Sequence, residues 1–410
     1  MLASTYPRWR VDHEPGFVHE LCKRLTERFE VLVLTSSAPG AAAYERMDGV
    51  EIIRYRYAPR RLETLVYGGG IATHLKRRPW KLIWVPGFIL GQYLAARRLL
   101  KERRIDLIHA HWLIPQGLIA RWLAWRVAVP FVVTSHGGDL FGLRGRLFTA
   151  GKRKVAKSCA AMTVVSRAMR DEAVCLGLAP PRLAVLAMGA DMRGRFTPGD
   201  KTMRSTDELL FVGRLVAKKG LPHLLDAMPE VLRRCPSAHL SIAGFGPEAA
   251  ALKAQARRLG IEDQVRFLGA VTQENLPALY RRAAVLVAPF IREASGNQEG
   301  LPVVLMEAIA CGCPVIAGRI AGVDELFGEA SADVCVNATD TEALAGAIVA
   351  TLTDPAAARE RARRLRAGVL NRLDWAVIAN GYADLLAFCL PGSSVSGRAH
   401  RKAETEDRAP

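Results

Sequence analysis

The sequence predicts an α/β protein built from two parallel β-sheets, each with helices packed on both faces. Short β-branched segments alternate with longer segments of helical periodicity in both halves of the chain, which is the pattern of doubly wound sheets. The length of 410 residues allows two ordinary domains, each with its own core. Half of the residues are hydrophobic and 24% are charged, which is typical of a folded chain.

The individual elements follow from the hydrophobic period of each segment. In the first half the predicted strands are 31–34, 50–54, 107–109 and 131–134, and the predicted helices are 17–28, 93–103 and 115–126. In the second half the strands are 209–212, 239–242, 265–268, 285–287 and 314–316, and the helices are 221–234, 248–259 and 303–310. The first strand is cut short, since only residues 1–4 precede a loop.

Turn-forming residues mark the expected domain boundaries. Residues 195–206 are rich in Thr, Pro, Gly, Asp and Ser and interrupt the alternation of strands and helices, as a linker between domains does. We therefore predict an N-terminal domain at 1–198 and a C-terminal domain at 199–374. The polar, Gly- and Ser-containing end, residues 391–410, is predicted to be a disordered tail.

The positive charge of the chain is confined to its first half. Residues 1–198 carry 32 Lys and Arg against 15 Asp and Glu, whereas the remainder carries 25 of each. Basic residues at 76–81 and 97–104 alternate with Trp80, Trp84 and Tyr93, which suits an anionic lipid surface or a diphosphate-bearing acceptor. A solvated basic face is the alternative. We find no recognition motif for nucleic acid and predict no such partner.

Cysteines and apolar segments indicate a cytoplasmic protein. None of the eight cysteines has Cys-x-x-Cys spacing, so we expect reduced thiols, and Cys311 and Cys313 lack His or Cys neighbours for a metal site. The longest apolar segment, 82–96, is broken by Pro86 and Gly87 and is too short to span a bilayer. No signal peptide is expected at the start.

The most specific motif is Glu299-Gly-Leu-Pro-Val-Val-Leu-Met-Glu307. It predicts a loop that enters a helix with Pro302 close to the first helical position, where a missing N–H has no cost. The free amides at that helix start form a site for a diphosphate. Glu307, about a turn and a half inside the helix, can accept two hydrogen bonds from a ribose diol, and Glu299 can reach a sugar ring beyond the phosphates.

Two further motifs follow predicted strands, at the sheet edge where ligands bind. Gly213-Arg214-Leu-Val-Ala-Lys-Lys219-Gly supplies cations that can neutralise the charge of a departing nucleoside diphosphate. Surface cations are the alternative, but the pairing with the glutamate helix favours a functional site. His136, in Thr-Ser-His-Gly-Gly-Asp, can bond a sugar hydroxyl, and a structural histidine is its alternative.

Rival interpretations are weaker. Gly244-Phe-Gly-Pro-Glu-Ala fits a dinucleotide-binding fingerprint, but the next strand ends in Gly269-Ala270 where an acidic residue is required. His109 and His111 have the spacing of metal ligands, but no carboxylate or third histidine lies near them in the sequence, which favours strand-end packing. The chain also has no Asp-x-Asp, so we expect neither a metal nor another cofactor.

In this order and spacing the motifs resemble retaining glycosyltransferases of the GT-B fold, in the large family 4 that includes sucrose synthases, mannosyltransferases and exopolysaccharide or colanic-acid-type transferases. The resemblance implies two Rossmann-like domains that face each other across a cleft, with a last helix, 375–390, that crosses back to the first domain. It covers nearly the whole chain. The matching segments start at Tyr6, Pro15, His109, His136, Gly189, Phe196, Gly213, Gly244 and Glu299.

The resemblance also implies roles for individual residues. Arg214 and Lys219 would hold the donor diphosphate and stabilise the leaving group, Glu299 would hold donor-sugar hydroxyls, and Glu307 would bind ribose. His136 would lie near the transferred carbon. The remaining donor-binding positions would be Gly16, Gly213, Gly244, Gly300, Leu301, Pro302 and Val303. Gly16 is the single glycine of a loop that has two in many members of the family.

The expected activity is that of a retaining hexosyltransferase. It would move a sugar from a UDP- or GDP-sugar to a saccharide or a polyprenyl-diphosphate-linked acceptor in cell-surface polysaccharide biosynthesis, in the cytoplasm or on the cytoplasmic face of the inner membrane. Two alternatives remain open: a nucleotide-sugar 2-epimerase of the same architecture, and a non-catalytic protein that binds sugar nucleotides.

Overall fold

The computed structural model describes residues 1–10, 12, 14, 16–68, 70–199 and 204–392, without the side chains of Ala72 and Lys76. Pro15, residues 200–203 of the predicted linker and residues 393–410 of the predicted tail lie outside this description.

The first half forms a mainly parallel sheet covered by helices. Its strands are β1 Leu32–Ser36, β2 Tyr44–Met47, β3 Val50–Tyr55, β4 Ile108–His111, β5 Phe131–Ser135, β6 Ala161–Val164 and β7 Leu183–Val185. Its helices are α1 Phe17–Leu25, α2 Ile71–Arg77, α3 Trp84–Glu102, α4 Leu118–Val127, α5 Arg146–Ser158 and α6 Arg167–Cys175. The strand orders are β1-β3-β2 and β4-β5-β6-β7. Leu2 bridges Leu34 and Ala110 in parallel, so even the shortened first segment joins the two groups.

The second half has the strand order of a Rossmann domain. Its strands are β8 Glu208–Val212, β9 His239–Ala243, β10 Val265–Gly269, β11 Val285–Ala288, β12 Val315–Gly318 and β13 Cys335–Val336. Its helices are α7 Leu221–Arg234, α8 Ala249–Arg258, α9 Leu276–Arg282, α10 Val303–Ala310, α11 Ala321–Phe327, α12 Ser331–Val334, α13 Thr341–Thr353, α14 Pro355–Leu373 and α15 Trp375–Phe388. In the order β10-β9-β8-β11-β12-β13 all strands are parallel, but the sequence of strands along the sheet reverses between β8 and β11. Ligands bind at such a switch point.

The last helix, α15, belongs to the core of the first half. Trp375, Ile378 and Tyr382 are buried there, and the Tyr382 hydroxyl donates to the Leu186 carbonyl at 2.9 Å. The helix packs against α1. The chain therefore leaves the second sheet after α14 and returns to the first.

Helix α3 differs most from its prediction. It begins at Trp84, nine residues before position 93, because Pro86 lies in the first turn, where proline removes no helical hydrogen bond. Glycines in α3 permit close packing: a Cβ at Gly91 would lie 2.8 Å from the Arg56 carbonyl oxygen, just after β3. Among the described residues, no helix combines the length and apolar character needed to cross a bilayer.

Glycine at position 244 is required by the packing of two loops. A Cβ there would lie 1.9 Å from the Gly213 carbonyl oxygen, which is backbone and has no freedom to turn away. We expect Gly244→Ala to lower the free energy of unfolding by about 1–3 kcal/mol, as overpacking does. Gly346→Ala is the control, since its Cβ would meet no atom within 4 Å. Denaturant titration compares the two, and equal stabilities would contradict the expected clash.

Candidate active site

The candidate site lies at the carboxyl ends of the strands, where the two halves meet. Gly213 and Arg214 follow β8, and the loop that carries Glu299 follows β11, so both flank the switch point of the second sheet. The loop after β5 faces them from the first half: a Cβ at Gly137 would lie 3.2 Å from the Gly300 amide nitrogen. The structure thus brings His136 and Glu299, 163 positions apart in the sequence, onto touching loops.

A carboxylate and two ammonium groups form the centre of the site. Glu299 Oε1 lies 3.0 Å from Lys218 Nζ and 3.3 Å from Lys219 Nζ. Burial by itself would raise the pKa of Glu299, but the two lysines outweigh it and lower this pKa to about 2. Burial lowers the pKa of Lys219, and Glu299 opposes that shift. Lys219 also lies 4.7 Å above the Phe290 ring, a cation–π contact.

Arg214 links the same cluster to the first half. Its guanidinium donates to Thr73 Oγ1 in α2 at 3.1 Å. Burial lowers the Arg214 pKa, with Glu14 and Glu299 acting in the opposite direction. Because an arginine is charged in either case, the site holds three positive charges, those of Arg214, Lys218 and Lys219, against two carboxyl groups, Glu299 and Glu14.

Helix α10 begins beside this cluster. It starts at Val303, and Pro302 with φ −76° and ψ 113° is its N-cap rather than its first helical residue. Glu307 is buried inside the helix, and the Tyr280 hydroxyl donates to its Oε2 at 2.8 Å. Burial raises the pKa of Glu307 to about 7, although the hydrogen bond from Tyr280 acts against the shift. A side-chain hydrogen bond with Gln273 also acts against the shift.

The glycines predicted at the donor site act mainly by permitting close packing. The amides of Gly213 and Gly244 donate to the carbonyls of Ala243 and Gly269 at 3.0 and 2.8 Å. At Gly300 a Cβ would meet the Met169 sulfur at 2.8 Å. Gly244 and Gly300 thus permit a closer approach of neighbouring groups than a side chain would allow, whereas a Cβ at Gly213 would meet its nearest atom at an ordinary 3.6 Å. Leu301 is half-buried and Pro302 is buried.

The loop of His136 is held by a buried aspartate. Asp139 accepts hydrogen bonds from the hydroxyl of Ser135 at 2.9 Å and from the amides of His136 at 3.2 Å and Leu113 at 2.7 Å. Burial raises the pKa of Asp139, and these bonds oppose the shift. Burial also lowers the pKa of His136 to about 3, so its imidazole is neutral at physiological pH.

His136 is fixed further by stacking and by a hydrogen bond to another histidine. Its ring lies parallel to that of His111, with centroids 5.2 Å apart, and His111 Nδ1 shares a hydrogen bond with His136 Nε2 at 3.0 Å. Gly16, the N-cap of α1, precedes Phe17, whose ring centroid is 5.0 Å from that of His136. The glycine loop and the histidine therefore lie side by side.

The environment of His109 and His111 corrects one expectation. The sequence shows no third histidine near this pair, but the fold stacks His136 on His111. The side chains of the pair themselves stack, with centroids 4.4 Å apart, and His109 Nε2 shares a hydrogen bond with Thr134 Oγ1 at 2.7 Å. Within the described part of the chain no three His, Cys, Asp or Glu side chains group as a metal site would.

Several residues of the site have no predicted role in the sequence. Lys218 lies inside the lysine motif, and its neighbour Lys219 alone was assigned to the phosphates. Thr73 and Tyr280 carry no motif at all, and only the fold brings them to Arg214 and Glu307. Asp139 is the last residue of the histidine motif, and its carboxylate fixes the loop by accepting hydrogen bonds from Ser135, His136 and Leu113.

Comparisons with known proteins agree with this architecture. Residues 17–189 match the model of a glycosyl transferase 4-like domain, and residues 202–368 match the model of glycosyl transferases group 1. A glycogen synthase of Mycobacterium tuberculosis is 32% identical over 293 residues, 69% of this chain and 68% of that protein. A GDP-mannose-dependent alpha-(1-6)-phosphatidylinositol monomannoside mannosyltransferase of Mycolicibacterium smegmatis is 28% identical over 71% of this chain and 78% of its own.

Solved structures show the same fold. A sucrose-phosphate synthase from Thermosynechococcus elongatus superimposes with a TM-score of 0.74 at 20% identity, over 94% of this chain and 96% of its own. HepE of Anabaena in complex with UDP-glucose superimposes with a TM-score of 0.73 at 17% identity, over 94% and 98%.

The two sheets have the GT-B fold of these solved structures, and the matches to the family models and to the glycogen synthase show that the protein is a glycosyltransferase. The chain belongs to the family of group 1 glycosyl transferases, with a glycosyl transferase 4-like first half. The predicted fold and family are thereby confirmed.

The raised pKa of Glu307 makes the stability of the protein depend on pH. The folded protein keeps this carboxyl protonated up to about pH 7, whereas the unfolded chain ionises near 4.5. The stability that Glu307 contributes is therefore complete below 4.5 and is lost as the pH rises to about 7. Relative to Glu307→Gln, the wild type should lose up to about 3 kcal/mol across this window.

Denaturant titrations of both proteins across this pH range measure the difference. Glu299, with its pKa of about 2, titrates below this window and does not interfere. Parallel curves for the wild type and the variant would mean that Glu307 ionises normally.

Proposed function

We propose that this glycosyltransferase takes a sugar from a UDP- or GDP-sugar and transfers it to a saccharide or lipid-linked acceptor with retention of anomeric configuration. The partly buried cluster of Arg214, Lys218 and Lys219 carries the proposal, because its three positive charges outnumber the two carboxyl groups near it, Glu299 and Glu14. A diphosphate supplies the missing negative charge. Relatives point the same way: one depends on GDP-mannose, and HepE has been crystallised with UDP-glucose.

In the proposed mechanism the residues act on separate parts of the donor. Arg214 and Lys219 stabilise the diphosphate as the bond from the sugar carbon to its phosphate oxygen breaks. Glu307 accepts hydrogen bonds from the ribose diol, Glu299 holds sugar hydroxyls, and His136 lies near the transferred carbon.

The acceptor oxygen bonds that carbon on the face the phosphate leaves, and its proton passes to a phosphate oxygen. We propose that no metal takes part, since protein cations supply the charge that a metal would otherwise provide.

The proposed acceptor is attached to a lipid, and the proposed place of action is the cytoplasmic face of the membrane, in cell-surface polysaccharide biosynthesis. The basic first half supports this choice, and so does the relative that acts on a phosphatidylinositol mannoside. A polyprenyl-diphosphate-linked saccharide combines the anionic group and the lipid that this composition favours.

The first experiment is a thermal-shift screen against UDP- and GDP-sugars, followed by mass detection of the product formed from the best binder. NMR of the anomeric proton in that product tests retention. The 2-epimerase alternative predicts an epimer when the enzyme is incubated with donor alone. A non-catalytic binding protein predicts stabilisation by the nucleotide without turnover.

Loss of a diphosphate cation should slow the chemical step. We expect Arg214→Ala and Lys219→Ala each to lower kcat by about two orders of magnitude or more, as loss of a charge-stabilising donor does. Single-turnover assays at saturating donor measure this rate. Arg257→Ala, on the exposed side of α8, is the control and should leave the rate unchanged. Unchanged turnover in both site variants would disprove the diphosphate assignment.

Ribose binding by Glu307 should depend on pH. The carboxylate accepts both hydroxyls of the diol, and protonation removes part of this capacity, so donor affinity should fall as the pH drops below about 7. Glu307→Gln should weaken binding about tenfold and abolish the pH dependence.

Calorimetry with an intact nucleotide sugar is the measurement, because its diphosphate diester does not titrate near neutral pH. Equal affinities for wild type and variant at all pH values would refute the ribose role.

A further inference from the structure

One side of the first half exposes a group of large apolar side chains. They lie on the 3-10 turn Pro79–Ile83 and on α3, α4 and α5. The side chains are between 40% and 85% exposed, with Trp125 at 82% and Leu147 at 84%. We call the surface that carries Trp80, Ile83, Leu90, Trp122, Trp125 and Leu147 the apolar face.

The apolar face extends over three neighbouring helices. α3 packs on α4, and α4 packs on α5. The rings of Tyr93 and Trp122 meet edge to face across the first junction, with centroids 6.5 Å apart. Across the second junction, Arg121 Nε donates to Ser158 Oγ at 3.1 Å. The exposed apolar side chains therefore lie on three adjoining helices, and a group of exposed apolar residues of this kind marks an interaction site.

The segment that carries the apolar face is rich in basic residues. Residues 64–170 contain 19 Lys and Arg but only three acidic residues, Glu102, Asp106 and Asp139. Asp139 is buried, and the other two pair with Arg98 and Arg104. On α3 the exposed residues Leu90, Leu94, Arg97 and Lys101 recur every three or four positions and so lie on one side of the helix. Along the chain, this side is apolar in its first part and basic in its last turns.

The apolar end of α3 lies at the edge of the sheet that faces the active site. Gly91 packs against the backbone just after β3. β3 pairs in parallel with β1, Leu2 bridges β1 and β4 in parallel, and β4 pairs in parallel with β5. The carboxyl end of β3 and the His136 loop after β5 therefore lie at the same edge of the sheet. Whatever binds the apolar face is therefore next to the opening of the cleft.

We propose that the apolar face docks on an anionic phospholipid bilayer. Trp and Leu side chains enter the interfacial layer, and the flanking Lys and Arg residues bind anionic headgroups. A second copy of the chain fits less well, because the same excess of positive charge would meet itself. The purpose of docking, delivery of a lipid-linked acceptor to the cleft, rests on the proposed function; the docking itself does not.

Vesicle flotation tests the proposal. Full-length protein is mixed with phosphatidylglycerol/phosphatidylcholine vesicles or with phosphatidylcholine vesicles, at low and at high salt. We expect flotation with the anionic vesicles and its loss at high salt, since screening weakens the headgroup contacts. Binding to neither kind of vesicle, or equal binding to both at any salt, would overturn the proposal.

Surface variants assign the binding to residues. Trp125→Ser with Leu147→Ser removes apolar contacts, and Arg97→Glu with Lys154→Glu reverses charges. Each pair should lower vesicle partitioning by about tenfold or more. The matched controls lie outside the face: Val174→Ser, 63% exposed on α6, and Arg257→Glu with Arg258→Glu on α8. Face variants that float like the wild type, or controls that lose binding equally, would contradict the assignment.

Two further measurements separate this proposal from others. Face variants should keep their thermal shift with a nucleotide sugar and their turnover with a water-soluble acceptor, so lost flotation with intact donor binding supports docking. Flotation without any donor binding would sink the proposed function and leave docking standing. A dimer in sedimentation velocity that Trp125→Ser dissociates, without vesicle binding, would assign the face to a second copy and overturn the proposal.

Discussion

The partly buried positive charges that follow β8, on Arg214, Lys218 and Lys219, constrain the rest of the site. Lys218 and Lys219 are balanced by Glu299, and Arg214 lies in the same buried region. Charged groups are stable in such a place only when they are paired and hydrogen-bonded. The excess of positive charge supports the proposed binding of a diphosphate, and the two lysines explain why Glu299 stays ionised in spite of its burial.

The same burial acts in opposite ways on the two glutamates of one motif. Glu299 faces two ammonium groups, which lower its pKa, whereas Glu307 faces the uncharged Tyr280 hydroxyl within helix α10 and has a raised pKa. Glu299 is therefore ionised at neutral pH, whereas Glu307, eight positions later in the sequence, titrates near neutral pH. The two glutamates therefore differ in charge near neutral pH because they face different neighbours.

The two halves are mutually dependent at the cleft. Arg214 bonds Thr73 of the first half, the His136 loop contacts Gly300 of the second, and α15 returns to complete the first core. The cleft is therefore lined from both sides by loops that close against each other. The proposed docking of the apolar face would place a bilayer where the proposed lipid-linked acceptor enters.

The sequence by itself determined the fold class and the chemistry-bearing motifs, because both depend on local patterns: hydrophobic period, strand-end glycines and the spacing of Glu299 and Glu307. It also located most core strands to within two residues at either end. It did not show β2, β6, β7 or β13, whose short segments carry little periodic signal, and it gave neither the true start of α3 nor the helices α2, α5, α6, α9 and α11 to α14.

Only the tertiary structure decided which side chains meet. The partners of Arg214, Glu307 and His136 are Thr73, Tyr280 and His111, which come from other elements. The pKa values of the site follow from burial and from these long-range contacts. Such contacts depend on the packing of whole sheets and helices, and the residues flanking a motif in sequence do not encode them.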